Sequence, residues 1–505
     1  KEAETNHQAE RPEQRGNLRY GIPHRLPDLF GTRLARVVRV TLEQQRMAQR
    51  MPVRFKVGLC LERYVRPSFA GGADALQGVV GREAVADAAF GLLDQLAQQY
   101  DYIPDGANDR AAIYNYATAT SDGFRTKQKL AQSWLKLYNV IANCNNFIKW
   151  LDRNGESVIR NVKTRNTFRA EALAIRAYCH FDLLRAWGPW KYGTDAAAAD
   201  APCIPYRMVA DNSKQPLLPA KEIVKLALKD LDEAKKLLEH EKKMRLDNSE
   251  RQFRFNYHAV NALMARIYCY AGDATNAVAC AQDVVDNCGL TLVSSNQDDP
   301  ILFSECIAAL NIYHLTETFS SHWADGEKYT TQYFIRSERF NSYFEVSGDR
   351  REDMRSKSSA FYEHAAAKTA LSRKYNTNPK EAVPLIRLPE MYYILCEMTP
   401  DLTQAARFLN AVRNKRGYSR SLNVNFADEA NRLKALDREF RKEFYAEGQY
   451  WYFLKRHGIT ELVYDNSVVL SKERFVFPLP DAEKEYGWTA SHDAEAGTKK
   501  PQTNP

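Results

Sequence analysis

The sequence LDREFRKEFYAEGQYWYFLKRHG, residues 436–458, places three carboxylates four residues apart, at Glu439, Glu443 and Glu447. Apolar residues recur at the same interval, which predicts an amphipathic helix with the carboxylates in a row beside its apolar face. Gly448 costs a helix about 1 kcal/mol relative to alanine, so it predicts a helix break or a close backbone approach. The stretch therefore predicts helical segments that are buried against other helices.

The carboxylate row also predicts paired charges. Like charges at this spacing on a helix repel by roughly 0.2–0.5 kcal/mol per pair, so cationic side chains must meet the row. The candidates nearest in the sequence are Arg438, Arg441, Lys442, Lys455 and Arg456.

The same stretch resembles the C-terminal signature of the SusD/RagB family, the surface nutrient-binding lipoproteins of Bacteroidetes. The pattern is E-x-R-K-E-F-x-x-E-G-x-x-x-x-x-L-K-R, and it begins at Glu439. Other segments resemble family motifs in the same order along residues 128–486. They include FRAEALAIRAYCHFDLLRAWG at 168–188, the region of Arg387 and Glu390, and FPLP at 477–480. Ordered motifs over this length identify the chain as a member of that family.

Two helix pairs predict the fold class. Residues 256–289 predict a helix, a tight turn and a second helix, about 34 residues in all, with alanine-rich facing rows typical of a tetratricopeptide-like unit. Residues 384–417 follow the same plan, with PLIRLPEMYYILCEM taken as the first helix. We therefore expect an all-α fold of stacked tetratricopeptide-like helix pairs, with irregular loops on one side, as the family resemblance also implies.

The domain organisation follows from the motifs. Residues 1–105 match the family poorly, and we expect them to pack on the main body. Residues 106–505 are predicted to form the SusD-like helical body. Within it, the N-terminal signature region is 128–215 and the C-terminal signature region is 256–486.

Composition excludes several classes of protein. The chain has 505 residues, a formal charge of +8 and nine cysteines, with no C-x-x-C pair or zinc-type spacing. No metal site or cofactor is predicted. Its basic residues near 33–54 lack interleaved aromatics, which argues against nucleic-acid binding. No apolar run approaches the ~20 residues that span a bilayer.

An aromatic segment is the predicted ligand site. Residues 301–344 break the helical period and interleave rings with polar side chains, a combination that suits glycan or peptide capture. An alternative stays open, in which these rings pack the segment onto the helices. A weaker second group surrounds Tyr116. The candidate ligand-binding residues are Trp323, Tyr329, Tyr333, Tyr313, Asp325 and Tyr116.

Catalysis is the less favoured alternative. The carboxylate row could supply the acid and base of a glycosidase, but helical carboxylates crowded by basic residues are usually salt-bridged. No hydrolase, metalloprotease or phosphate-loop motif accompanies them. Arg387 and Glu390 are interpreted as an internal ion pair or as helix-surface charges. The residues interpreted as a structural signature are Arg387, Glu390, Glu439, Glu443, Glu447, Gly448 and Arg456.

The resemblance implies a non-catalytic lipoprotein exposed on the outer membrane. Such a protein captures a glycan, or alternatively a peptide, and passes it to a SusC-like TonB-dependent transporter. By the same resemblance the membrane is reached only through a lipidated N-terminal cysteine. The first cysteine here is Cys60, so we expect the signal and anchor to be missing from this sequence. Two further alternatives are a glycan-degrading enzyme on a helical scaffold and an intracellular helix-repeat adaptor.

Overall fold

The structure of the protein is a computed structural model. It describes residues 91–101, 113–117, 124–211, 213–248, 250–312, 315–316, 323, 333–346, 353–375, 380–462 and 469–486. All of these belong to one compact unit, Arg54–Pro505, and a second unit, Lys1–Val53, lies outside the described residues.

The described chain is mostly helical, as predicted. In chain order the helices are α1 (Leu93–Leu96), α2 (Phe124–Val158), α3 (Val162–Trp187), α4 (Ala196–Ala199), α5 (Ala220–Leu237), α6 (Tyr257–Ala271), α7 (Ala274–Asn287), α8 (Ser337–Tyr343), α9 (Leu388–Met398), α10 (Leu402–Lys415), α11 (Glu429–Glu443), α12 (Gln449–His457), α13 (Lys472–Phe475) and α14 (Asp481–Tyr486). Among them, no helix is both long and apolar enough to cross a membrane.

Both predicted helix pairs are present. Helix α6 packs on α7 and α9 packs on α10, while α3 packs between α2 and α5. The second helix of each pair begins at an aspartate whose carboxylate accepts a backbone N–H of the first turn. Asp273 accepts from Asn276 at 3.1 Å, and Asp401 accepts from Gln404 at 2.6 Å. These caps start each second helix directly after the turn.

Short strands interrupt the helical plan. They are β1 (Pro202–Ile204), β2 (Leu218–Pro219), β3 (Cys306–Asn311), β4 (Phe334–Arg336), β5 (Phe361–His364), β6 (Thr369–Ser372) and β7 (Ala382–Arg387). They form three antiparallel sheets of order β1-β2, β3-β7 and β4-β6-β5. Strands β3 to β7 therefore lie between α7 and α9 in the sequence. Of these, β3 and β4 fall within residues 301–344, the segment that breaks the helical period.

One boundary predicted from the sequence is wrong. Residues 384–387, expected to open the helix of the second pair, belong to β7, which is buried along its whole length. A short apolar run buried on both faces has no period that separates strand from helix. Helix α9 then begins at Leu388, and Pro389 occupies its first turn, where a missing N–H breaks no helical hydrogen bond.

The break predicted at Gly448 is confirmed. Helix α11 ends at Glu443 and α12 begins at Gln449. Gly448 between them has a φ of +69°, in the left-handed region that favours glycine. The change of direction lets α11 and α12 pack on different neighbours while the signature stays continuous in sequence.

The eight cysteines that the structure describes carry free thiols. Cys179 and Cys269 are buried within helices, whereas Cys280 on α7 is only half-buried.

Candidate functional site

The carboxylate row lies in the interior, where its members meet arginines from distant elements. Glu443 accepts from Arg387 Nη1 at 2.7 Å and from Arg416 Nε at 2.9 Å and Nη2 at 2.8 Å. Arg355 Nη1 lies 3.3 Å from the same carboxylate. Burial alone would raise the pKa of Glu443, but the Arg416 and Arg387 guanidiniums outweigh it and hold that pKa well below its usual range. Glu443 is therefore ionised and fully paired.

Glu439 stands one turn earlier and is paired just as closely. It accepts from Arg355 Nη2 at 2.8 Å and from Arg413 Nη1 at 2.6 Å, and Lys442 Nζ is 3.2 Å away. Burial would raise the pKa of Glu439, yet Lys442, Arg355 and Arg413 lower it far below its usual value. The second carboxylate is therefore also an internal counter-ion.

Glu447 completes the row beyond the end of α11. Arg387 donates to it from Nε at 3.0 Å and Nη2 at 2.8 Å, and Lys374 also donates to it. Arg416 in turn meets Glu305 through Nη1 at 3.0 Å and Nη2 at 2.7 Å. The charges thus form one connected set, the buried network, made of Glu305, Asp353, Arg355, Lys374, Arg387, Arg413, Arg416, Glu439, Lys442, Glu443 and Glu447.

The expected pairing is confirmed, but most of the expected partners are wrong. Of the nearby cations, Lys442 meets the row. Arg456 instead pairs with Glu397, and Lys455 donates to the Ala186 carbonyl at 2.9 Å. Helical spacing brings together residues of one helix, whereas the row faces β7 and α10, whose arginines reach across to it.

Arg387 and Glu390 are internal, and each has a different partner. Arg387 belongs to the buried network, whereas Glu390 accepts from Arg266 Nη2 at 2.6 Å. The interpretation of these two residues as helix-surface charges is wrong. So is their pairing with each other, because one ends β7 and the other faces α6.

The network has no catalytic geometry. The acid/base pair of a glycosidase consists of two carboxyl groups that both face the substrate, and one of the two carries a proton. Glu439 and Glu443 are ionised, and both are closed off from solvent. Among the described residues, no group of three or more His, Cys, Asp or Glu side chains is placed to hold a metal ion.

Five aromatic side chains lie together next to the buried network. We call them the aromatic layer, and they are Tyr100, Trp323, Tyr333, Tyr375 and Tyr445. Trp323 is 2% exposed, with its ring centroid 5.7 Å from Tyr100, 5.4 Å from Tyr333 and 5.7 Å from Tyr375. Tyr100 stacks on Tyr333 at 4.8 Å and meets Tyr445 edge-on at 5.5 Å. Edge-to-face and offset contacts of this kind add about 0.5–1.5 kcal/mol per pair beyond area burial.

The aromatic layer is joined to the signature turn. The Tyr375 hydroxyl donates to the Ala446 carbonyl at 2.9 Å. The Tyr100 hydroxyl donates to Asp94 at 3.2 Å, and Asp94 accepts the Gly448 N–H at 3.1 Å. Burial raises the pKa of Asp94 well above its usual value, against the opposing effect of the Gly448 N–H. Residues 91–101 are thereby packed against the C-terminal signature. The sequence did not indicate which part of the main body this segment would contact.

The structure buries every predicted ligand residue that it describes. Trp323 and Tyr333 belong to the aromatic layer. Tyr116 donates its hydroxyl to the Arg474 carbonyl, and its ring meets Phe477 edge-on at 5.5 Å. These three rings leave almost no surface on which a ligand could stack. The other three candidates, Tyr313, Asp325 and Tyr329, lie outside the described residues.

An open groove of about 240 Å³ lies between α2 and the chain that follows β1. Its polar lining comes from Asn145 and Asn146 on α2 and from Arg207 and Asp211 opposite. Arg207 Nη2 is 3.2 Å from the Asp211 carboxylate, and Asn145 donates to the Arg207 carbonyl at 3.0 Å. Nothing in the sequence pattern indicates that these residues line a groove.

Comparison with known families covers most of the chain. A SusD-like family model, described as starch-binding associating with outer membrane, matches residues 82–269. The SusD family model matches residues 316–503. The chain belongs to the SusD/RagB family. The first match includes Asp94 and Tyr100, so this SusD/RagB chain resembles its family further towards the N-terminus than its motifs indicated.

Solved structures share the fold of this SusD/RagB protein. A SusD superfamily protein from Bacteroides thetaiotaomicron VPI-5482 is 21% identical with a TM-score of 0.62, covering 81% of this chain and 96% of its own. A SusD-like carbohydrate binding protein from Bacteroides vulgatus ATCC 8482 is 15% identical with a TM-score of 0.63, covering 84% and 95%. A structure solved with xylogluco-oligosaccharide is 16% identical, at a TM-score of 0.54, covering 79% and 82%. No curated protein matches this chain in sequence.

Proposed function

We propose that this SusD/RagB protein is a non-catalytic binding protein that captures glycans at the outer membrane. The observation that carries the proposal is the pair of family matches, one in each half of the chain. The shared fold with a protein solved with xylogluco-oligosaccharide supports a glycan over a peptide. The burial and full pairing of the carboxylate row support binding without bond cleavage.

The proposal includes a place and a partner for the protein. The matched family is associated with the outer membrane, which supports a lipid-anchored position on the cell surface. The partner proposed by family resemblance is a SusC-like TonB-dependent transporter, to which the captured glycan is delivered. A test is co-purification of the membrane-anchored protein with its transporter. Recovery of the protein alone from gently solubilised outer membranes would contradict this part.

Within the aromatic segment we assign two different roles. Tyr313, Asp325 and Tyr329 are proposed as ligand contacts, with the rings supplying stacking surface and the carboxylate a hydrogen-bond acceptor. Trp323 and Tyr333 are proposed as supports for the segment, because both are buried against Tyr100. A buried support affects ligand binding through the fold, whereas a contact affects binding alone.

Calorimetric titration of a panel of polysaccharides, oligosaccharides and peptides tests the function and the assignment together. We expect saturable glycan binding with no product released. Tyr329→Ala is expected to weaken binding at least about tenfold at unchanged stability, since truncating an aromatic contact commonly costs more than 1 kcal/mol. The support variant Trp323→Phe, which keeps a ring in the layer, is expected to bind within a few-fold of the parent.

The opposite pattern would contradict the assignment. If Trp323→Phe abolishes binding in a folded protein while Tyr329→Ala does not, then Trp323 is the contact. Binding of peptides and of no glycan would favour the peptide-capturing alternative. Release of shorter sugars during incubation would contradict the non-catalytic role.

A further inference from the structure

The open groove between α2 and the chain that follows β1 has a lining of two kinds. Its apolar part is aliphatic and consists of Ile141, Ala142, Val209 and Ala210. Its polar part consists of Asn145, Asn146, Arg207 and Asp211. The volume of about 240 Å³ is below the roughly 300–1,000 Å³ of sites for drug-sized ligands, so the groove suits a ligand of about one sugar ring. A sugar ring also has both surfaces that such a lining matches, C–H groups and hydroxyls.

Three polar residues of the lining have hydrogen-bonding capacity that no described residue uses. The Asn146 amide has no hydrogen-bond partner among the described residues. The Arg207 side chain bonds to them through Nη2, which leaves Nε and Nη1 available. Asp211 uses Oδ1 for Ser213 and Arg207, which leaves Oδ2 available, and the Ser213 hydroxyl and N–H lower the pKa of Asp211. An amide, a guanidinium and a carboxylate together match neighbouring hydroxyls, each of which donates and accepts.

The charge of the lining favours a neutral ligand. Arg207 and Asp211 are its two charged residues, and they pair with each other at 3.2 Å. Lys149, whose charge also lowers the pKa of Asp211, lies outside the lining. An anion in the groove would meet the Asp211 carboxylate, and a cation would meet the Arg207 guanidinium. A hydroxyl can bond to both groups without separating them.

The wall opposite α2 is held in place before any ligand binds. Asn145 on α2 donates to the Arg207 carbonyl at 3.0 Å, and the Tyr138 hydroxyl donates to the Pro205 carbonyl at 2.8 Å. The Arg207 N–H donates to His180 Nε2 at 3.0 Å. Burial lowers the pKa of His180 to about 3, so its ring is neutral and can accept this bond. A wall fixed in this way reduces the ordering cost of binding.

We propose that this groove is a second glycan site, which binds one neutral pyranose unit through the free hydrogen-bonding groups of Asn146, Arg207 and Asp211. The aliphatic lining packs against the C–H face of the ring. The site is weaker than one with stacking surface, because its described lining contains no aromatic ring. The inference rests on the proposed capture of glycans, but it uses no residue of the aromatic segment.

The probes are the methyl glycosides of glucose, galactose, mannose and xylose, because each presents a single neutral ring. Each is titrated into the full chain, with binding followed by saturation-transfer NMR, and crystals are soaked in the tightest binder. We expect saturable binding of at least one probe and electron density for one ring in the groove. Methyl glucuronide, the charged comparison, is expected to bind more weakly. Tighter binding of methyl glucuronide than of every neutral probe would overturn the neutral ligand class.

Variants locate the binding. Asn146→Ala and Asp211→Ala each remove one proposed contact from a side chain that is not buried, so the fold is retained. Each is expected to weaken methyl glycoside binding about fivefold, the effect of one hydrogen bond. The matched control is Asn139→Ala, which is exposed on the same helix outside the groove lining and is expected to bind unchanged. Tyr329→Ala, in the aromatic segment, is also expected to bind the methyl glycosides unchanged.

Three outcomes would overturn the proposal. Binding that is lost in Tyr329→Ala and kept in both groove variants would place the sugar in the aromatic segment. Oligosaccharide binding in calorimetry, with no methyl glycoside bound in the groove, would remove the second site and leave glycan capture standing. No binding of any sugar, short or long, would overturn glycan capture together with this site.

Discussion

Two buried sets of charges, one around Arg176 in the N-terminal signature region and one around Glu443 in the C-terminal region, are built in different ways. In the N-terminal region Arg176 meets one carboxylate, Asp230, through Nε and Nη2, both at 2.7 Å. Neutral groups supply the other hydrogen bonds: Asn145 accepts from Arg176 Nη1 at 2.8 Å, and the Tyr206 hydroxyl donates to Asp230 at 2.7 Å. In the C-terminal region Glu443 is the centre of the buried network, and its arginine partners each meet a second carboxylate.

The difference shows what a buried charge depends on. In the isolated pair, each charge has one counter-ion, and neutral hydrogen bonds satisfy what remains. In the network, removing one central carboxylate leaves several arginines without their shared counter-ion. These like charges then repel one another in a low-dielectric interior. The network also joins β7, α10 and α11, so its loss would loosen the packing of several elements at once. Position within the set therefore decides the cost of a substitution.

The largest effect is expected for Glu443→Gln. The amide keeps the shape of the side chain but leaves Arg355, Arg387 and Arg416 without their shared anion. We expect the free energy of unfolding to fall by about 3–5 kcal/mol, measured by urea denaturation at neutral pH.

Glu233→Gln is the matched control, because Glu233 pairs with Arg169 at an exposed site, at 2.9 Å. The control is expected to cost less than about 1 kcal/mol. Equal losses of unfolding free energy in the two variants would mean that the buried network stabilises the fold no more than a single surface ion pair does.

A somewhat smaller loss is expected for Arg176→Met. Asp230 then keeps the Tyr206 hydroxyl but has no counter-ion, which costs about 3 kcal/mol. Adding Asp230→Leu removes the stranded charge, so we expect the double variant to recover at least about 1 kcal/mol of unfolding free energy. Urea denaturation of both variants provides the measurement. A double variant less stable than the single one would show that this pair, too, acts as part of a larger set.

The smallest effect is expected at a buried charge without a carboxylate partner. Lys455 Nζ donates to the Ala186 carbonyl, and burial lowers the pKa of Lys455 to about 7. Between that value and its ordinary pKa of about 10.4, the unfolded chain binds a proton that the folded chain lacks. Stability from this group therefore rises with pH above 7, by about 1 kcal/mol between about pH 7 and pH 8.

The measurement is the difference in unfolding free energy between the parent and Lys455→Met, followed from neutral to mildly alkaline pH. Other groups titrate equally in both proteins and cancel. The parent should gain on the variant as pH rises. A difference that stays constant with pH would mean that Lys455 is protonated in the folded protein.

Particular residues show how far the sequence could predict the fold and the candidate site. The helix pairs and the break at Gly448 were predictable, because helical period and glycine conformation are local properties. Strand β7 was not, because an apolar run buried on both faces has no distinguishing period. The interior position of Trp323 was not decided either, since an aromatic side chain suits both a core and a ligand surface. Contact with Tyr100 and Tyr375 places Trp323 in the core, and this contact could not be predicted because both residues are distant from Trp323 in the sequence.

The sequence by itself determined that three carboxylates share one helical row and need cationic partners, because both follow from spacing and charge repulsion along one helix. It also determined family membership, through ordered motifs. Only the tertiary structure decided which cations pair with Glu443, because Arg416, Arg387 and Arg355 lie 27, 56 and 88 residues away from it in the sequence.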